Sequence, residues 1–132
     1  ILQAEKAEDW VIATGKTNSV RDFVKMSFME VGIELEFRGD GINEKAYVVK
    51  CNNPEYQIEI GKEVLGIDPK YFRPSEVDLL IGDPTKAQTK LGWKCNYEFQ
   101  CLIKEMMQSD LKLMKRDQYL KDKGYTFKNY FE

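Results

Sequence analysis

The sequence predicts a mixed α/β fold, and three patterns carry that expectation. A short apolar run, Trp10-Val11-Ile12-Ala13-Thr14, ends at Gly15 with little alternation, as a strand buried on both faces would. Ile33-Glu34-Leu35-Glu36-Phe37-Arg38 alternates strictly between apolar and polar, the mark of a half-buried strand. Two stretches repeat apolar residues at helical spacing: Val20, Phe23, Val24, Phe28 and Val31, then Phe99, Leu102, Ile103, Met106, Met107, Leu111 and Met114.

In chain order, the first helix opens at Ser19, with Asp22 three residues on to complete a capping-box-like start, and Gly32 stands where a helix closes. Residues 10–32 thus form a strand–loop–helix unit. Gly39-Asp40-Gly41 stops the alternating strand. Residues 46–50 and 56–60 are two further short strand candidates, with Asn52-Asn53-Pro54 as the turn between them. Residues 64–68 form another, halted by Pro69. The stretch 69–82 is mostly loop, with a short apolar piece at 77–81. Asp83 as cap and Pro84 at the first helical position start a helix that stops at Leu91 before Gly92. The longest helix covers residues 97–115. The tail, 119–131, carries Tyr119, Tyr125, Phe127, Tyr130 and Phe131; it is too aromatic for a free end and is expected to dock on a surface. This order does not complete a doubly wound sheet, and an isolated strand–helix unit has an exposed parallel edge. The chain is therefore expected to be the C-terminal part of something larger.

Composition narrows the function. The 132 residues fit one domain, and 42% hydrophobic residues exclude a polar disordered tail as a description of the whole. No run approaches eighteen apolar residues, so no membrane partner is expected, and the first residues lack the order of a secretory signal peptide. Twenty basic against 22 acidic residues argue against a dedicated nucleic-acid domain. The second half is mildly basic, and Lys104, Lys112, Lys115 and Arg116 read as a solvated helix face. Cys51, Cys95 and Cys101 are odd in number and show no metal spacing, which fits ordinary thiols in a reducing, cytoplasmic setting. Histidine is absent, so Ser–His and Cys–His catalytic arrangements cannot be built from this chain.

The segment richest in chemistry is Asp68-Pro69-Lys70-Tyr71-Phe72-Arg73-Pro74-Ser75-Glu76-Val77-Asp78. Prolines and aromatics make Arg73 a stiffly held cation, and a guanidinium matches phosphate oxygens in a two-pronged way. Glu76 can accept hydrogen bonds from sugar hydroxyls, and Tyr71 offers an aromatic face and a hydroxyl. The plainer alternative is that Arg73 pairs with Glu76 or Asp78 at the surface. Ala13-Thr14-Gly15 lies where α/β sheets often place ligands, but no Gly-x-Gly-x-x-Gly exists in the chain. Tyr119 and Lys123 have the Tyr-x-x-x-Lys spacing of short-chain dehydrogenases, yet no Gly-rich nucleotide loop precedes them, so the spacing reads as coincidence.

Asp9 to Gly15 followed by Ser19-Val20-Arg21-Asp22-Phe23-Val24 resembles the last Rossmann strand and following helix of the GDP-mannose 4,6-dehydratase family. The block from Asp68 to Lys94, DPKYFRPSEVDLLIGDPTKAQTKLGWK, is the more specific match, and the resemblance covers about residues 7–125. It implies the C-terminal substrate-binding part of an extended short-chain dehydrogenase fold, lacking most of the Rossmann domain. Residues 1–32 would be the last strand and helix of a Rossmann-type sheet. Residues 33–132 would be the substrate-binding domain with C-terminal helices and a docking tail. Family enzymes convert GDP-mannose to GDP-4-keto-6-deoxymannose with NADP, bound by an N-terminal Rossmann domain that also holds the catalytic residues. The resemblance assigns Arg73 to the GDP phosphates, Glu76 to the ribose and Tyr71 to the pocket wall. It implies GDP-mannose and that Rossmann domain as partners, a homo-oligomer when complete, and no catalysis by this chain alone. The alternative is a standalone, non-catalytic module that binds a nucleotide sugar or docks on a protein through its aromatic tail.

Overall fold

A computed structural model describes residue 2, residues 4–73 and residues 80–125. In chain order it has α1 (Val20–Glu30), β1 (Ile33–Arg38), a single 3-10 turn (Gly41–Asn43), β2 (Lys45–Cys51), β3 (Glu63–Gly66), α2 (Thr85–Leu91) and α3 (Phe99–Asp122). The three strands make one antiparallel sheet in the order β1-β2-β3.

α1 begins as its sequence dictates. The Ser19 hydroxyl accepts the Asp22 backbone N–H at 3.0 Å and donates to the Asp22 carboxylate at 2.6 Å. This satisfies one of the amides that every helix start leaves unpaired. Ser19→Ala is expected to destabilise the fold by about 1 kcal/mol, seen as a lower urea midpoint with an unchanged slope. Ser27, buried in mid-helix, donates to the Phe23 carbonyl at 2.8 Å and so enters the interior without an orphaned hydroxyl.

β1 keeps the alternation its sequence shows, with Ile33, Leu35 and Phe37 inward and Glu34, Glu36 and Arg38 exposed. β2 follows through the turn at Gly41–Asn43. The register places Leu35 opposite Val48 but Glu34 opposite Lys50, so Val49 is an extra residue bulged out of the ladder. The bulge resets the period of two: Ala46 and Val48 face the core before it, and Cys51 faces the core after it. On the outer face Lys50 pairs with Glu34 directly opposite, at 2.6 Å, and Lys45 pairs with Glu63 of β3 at 2.8 Å.

The core is the inner face of this sheet under two helices. Val31, Ile33 and Val48 are its buried centre, with Phe28 of α1 and Met107 and Leu111 of α3 packed against them. Phe23 and Phe99 join α1 to the start of α3, ring centres 6.2 Å apart. Ile103 is fully buried.

Several expectations are corrected. Residues 56–60 form no strand. Asn53 holds them in a turn, its side-chain oxygen accepting the N–H groups of Glu55 at 2.8 Å and Tyr56 at 3.3 Å, and β2 pairs with Glu63–Gly66 instead. α3 runs to Asp122, well past residue 115, and its buried face is narrower than the sequence stripe: Leu102, Met106 and Met114 remain largely exposed. Lys115 lies on an exposed helix face, as expected, and makes one contact the sequence does not announce. Its ammonium pairs with Glu55 at 2.6 Å and lies 5.3 Å from the centre of the Tyr56 ring, which raises its pKa and ties α3 to the turn after β2.

Residues 10–14 are not part of a sheet, and Val11 and Ile12 are half exposed, 51% and 47%. A parallel strand is stable only between neighbours, and the described residues offer it none. The segment is held instead by α2 and the chain before it. Lys86 donates to the Asp9 carbonyl at 2.8 Å, pairs with Glu8 at 2.9 Å and lies over the Trp10 ring at 4.8 Å. Lys90 also reaches Glu8, and the two lysines hold the Glu8 carboxyl below its usual pKa. Gly82 passes so close that a β-carbon there would lie 2.6 Å from the Ala13 β-carbon. Gly82→Ala is expected to push the two segments apart and destabilise the fold by about 1–3 kcal/mol in chemical denaturation.

α2 starts a residue later than its sequence suggests. Pro84, not Asp83, takes the cap position, and Asp83 stands one residue before it, accepting both the N–H (2.9 Å) and the hydroxyl (2.5 Å) of Thr85, bonds that lower the Asp83 pKa. The helix closes at Gly92 as expected.

Candidate functional site

The chain leaves β3 into a short turn that presents the chemistry singled out in the sequence. The Asp68 carbonyl accepts the Tyr71 N–H at 3.0 Å, and the Asp68 carboxylate accepts the Lys70 N–H at 2.9 Å. Asp and Pro thus shape this turn locally, without help from the core. Phe72 lies beside the turn before β2, where a β-carbon on Gly41 would meet its ring edge at 3.9 Å.

Tyr71 is 73% exposed, and the Lys70 ammonium lies 5.5 Å from its ring centre. Arg73 is also exposed, two residues further along. The structure therefore places two cations and an open aromatic face on one four-residue stretch beside the sheet. Lys70 is the member that sequence reasoning missed; the signal was its position directly before Tyr71 in a turn. Pro74, Ser75, Glu76, Val77 and Asp78 lie outside the described residues, so the reach from Arg73 to Glu76 and the alternative pairing of Arg73 are not seen. Chemically, the stretch suits a ligand with a phosphate for the cations and a ring for Tyr71.

The other place named in the sequence, Thr14, lies on a different part of the surface. The Thr14 hydroxyl bonds the N–H and carbonyl of Lys16 at 3.2 and 3.1 Å and shapes the loop before α1. It borders an open cleft of about 750 Å³ whose other wall includes Trp93, Lys94 and Tyr97. The Tyr97 hydroxyl donates to the Glu105 carboxylate, which raises the tyrosine pKa and closes the loop onto α3. Tyr119 and Lys123 stand exposed at the end of α3, the ammonium 5.7 Å from the ring centre. Among the described residues no cluster of acidic or cysteine side chains could hold a metal, and no helix is long and apolar enough to cross a membrane. The three thiols are unoxidised.

The described residues thus form a mixed α/β protein class, with a small antiparallel sheet and a cationic, aromatic turn following its edge strand. Comparison with known proteins gives the family. The family model described as GDP-mannose 4,6 dehydratase matches residues 1–106. A protein of that name from Yersinia enterocolitica is 44% identical over 127 residues, covering 95% of this chain and 34% of the relative. The one from Dictyostelium discoideum is 45% identical over 120 residues, covering 90% and 31%. The human one is 44% identical over 115 residues, covering 87% and 28%. The chain belongs to the GDP-mannose 4,6-dehydratase family, and it spans about a third of the length of these relatives.

Proposed function

We propose that this chain is the nucleotide-sugar-binding portion of a GDP-mannose 4,6-dehydratase, a cytoplasmic lyase that converts GDP-mannose to GDP-4-keto-6-deoxymannose with NADP. The observation that carries the reading is the exposed turn bearing Lys70, Tyr71 and Arg73, in a chain that belongs to this family. Arg73 grips the diphosphate, Tyr71 lines the pocket, and Glu76 takes the ribose hydroxyls. Homo-oligomerisation of the complete enzyme is part of the same proposal.

The residues present do not fit NADP. The described sheet is antiparallel, and no strand within it leads through a Gly-rich turn into a helix N-terminus, the arrangement that seats a pyrophosphate. The cofactor and the N-terminal Rossmann domain that binds it are therefore assigned to the rest of the enzyme, and no hydride step is derived from this chain. On its own the chain binds without catalysing.

Two-dimensional amide spectra of the 132-residue chain, titrated with GDP and with ADP as control, test the proposal. GDP-selective shifts at Tyr71, Arg73 and Glu76 are expected. Equal response to both nucleotides, or shifts confined to the Trp93–Tyr97 cleft, would refute it.

A further inference from the structure

The turn after β3 spends its own acid on its backbone. Asp68 and Tyr71 close a four-residue turn, with Pro69 at the second position and Lys70 at the third. The Asp68 carboxylate accepts the Lys70 backbone N–H at 2.9 Å, so it shapes the chain rather than neutralising the lysine. Lys45, Lys50, Lys86, Lys90 and Lys115 each hold a carboxylate at 2.6–3.3 Å. Among the described residues Lys70 holds none, and its ammonium rests 5.5 Å from the centre of the Tyr71 ring.

That resting place is a weak one. Both side chains are exposed, Tyr71 by 73%. A cation over a hydrated ring is held less firmly than a cation hydrogen-bonded to an anion. A phosphate oxygen arriving at the turn therefore draws the ammonium away and uncovers the aromatic face. Arg73 stands three residues on, at most about 11 Å away between Cα atoms. The two cations grip differently: a guanidinium forks onto two oxygens of one phosphate, whereas an ammonium is a point charge on a flexible stem. Lys70 sits in the turn and Arg73 beyond it, so a diphosphate can lie between them.

We propose that Lys70 is the residue by which this turn distinguishes a nucleoside diphosphate from a monophosphate. Arg73 takes one phosphate, and Lys70 leaves the Tyr71 ring only for the second. This role rests on the turn being the GDP site, and it adds a selectivity that Arg73 alone does not provide.

The test compares GDP and GMP binding by the unaltered chain, Lys70→Ala, Lys70→Arg and Arg73→Ala. Lys70→Ala is expected to lower GDP affinity about tenfold and to leave GMP affinity within about twofold. Lys70→Arg keeps a cation and should recover most of the loss, whereas Arg73→Ala should weaken both nucleotides. In proton spectra the Lys70 methylene next to the ammonium should lie upfield under the Tyr71 ring in the free chain. GDP should move it to the ordinary lysine position, and GMP should not. Equal losses of GDP and GMP in Lys70→Ala, or no loss of either, overturn the role of Lys70. If Arg73→Ala then still loses GDP, the site itself stands. An unaltered chain that binds neither nucleotide removes the site and the role of Lys70 together.

Discussion

Arg73→Ala is expected to weaken GDP binding by about 10- to 100-fold. A charge-assisted hydrogen-bonded pair contributes about 1.5–3 kcal/mol, and each 1.4 kcal/mol is about tenfold in affinity. Arg73→Lys keeps the charge but loses the planar fork, so about a tenfold loss is expected even from this mild change. Thermal stability should change little, by no more than the about 0–1 kcal/mol of an exposed polar contact, since Arg73 lies outside the hydrophobic core. Calorimetric titration of the complete enzyme with GDP reads the effect directly. Unchanged affinity in Arg73→Lys would remove Arg73 from the site and leave the turn as scaffold.

Ile33→Ala carries the largest expected stability effect. Ile33 is 2% exposed and packs with Val31 and Val48 at the centre of the core. Truncating a buried isoleucine loses its transfer energy and leaves a cavity, together about 2–5 kcal/mol. Small domains are stable by only about 5–15 kcal/mol in all, so the urea midpoint should fall steeply. Leu102→Ala, on the exposed stripe, should lose far less in the same assay. Equal losses at the two positions would mean that the core is centred elsewhere.

Most of the regular structure is written locally, and it was legible for that reason. Ser19 with Asp22, the alternation at 33–38 and Gly92 after Leu91 each act through near neighbours, and α1, β1 and α2 stand where those signals put them. What depended on distant partners was not legible. Residues 10–14 look like a buried strand, but that pattern states only what the segment would do beside neighbours. Residues 56–60 look like a strand too, but the side chain of Asn53 accepts the Tyr56 amide and that of Glu55 just before it. On α3 the sequence shows one broad apolar stripe, and nothing in the spacing says which part of it the sheet will meet. The role of Lys115 rests on Glu55, sixty residues earlier, and no local pattern announces it. At the candidate site, residue type and the surrounding prolines single out Tyr71 and Arg73, and the structure adds their exposure and the position of Lys70 near the Tyr71 ring.

The staple between Glu8–Trp10 and α2 has a consequence for the order in which the molecule assembles. The β1–β2 hairpin and its contact with α1 join residues close in sequence, so closing those loops sacrifices little chain entropy. The bond from Lys86 to Asp9 spans 77 residues, and it rests on exposed charges rather than a core. It should therefore form last and open first. Amide exchange would show a slow-exchanging hairpin beside a rapidly exchanging first twenty residues. The turn after β3 adjoins the early-forming part, with Phe72 close to Gly41, and should keep its shape while the N-terminal segment comes and goes.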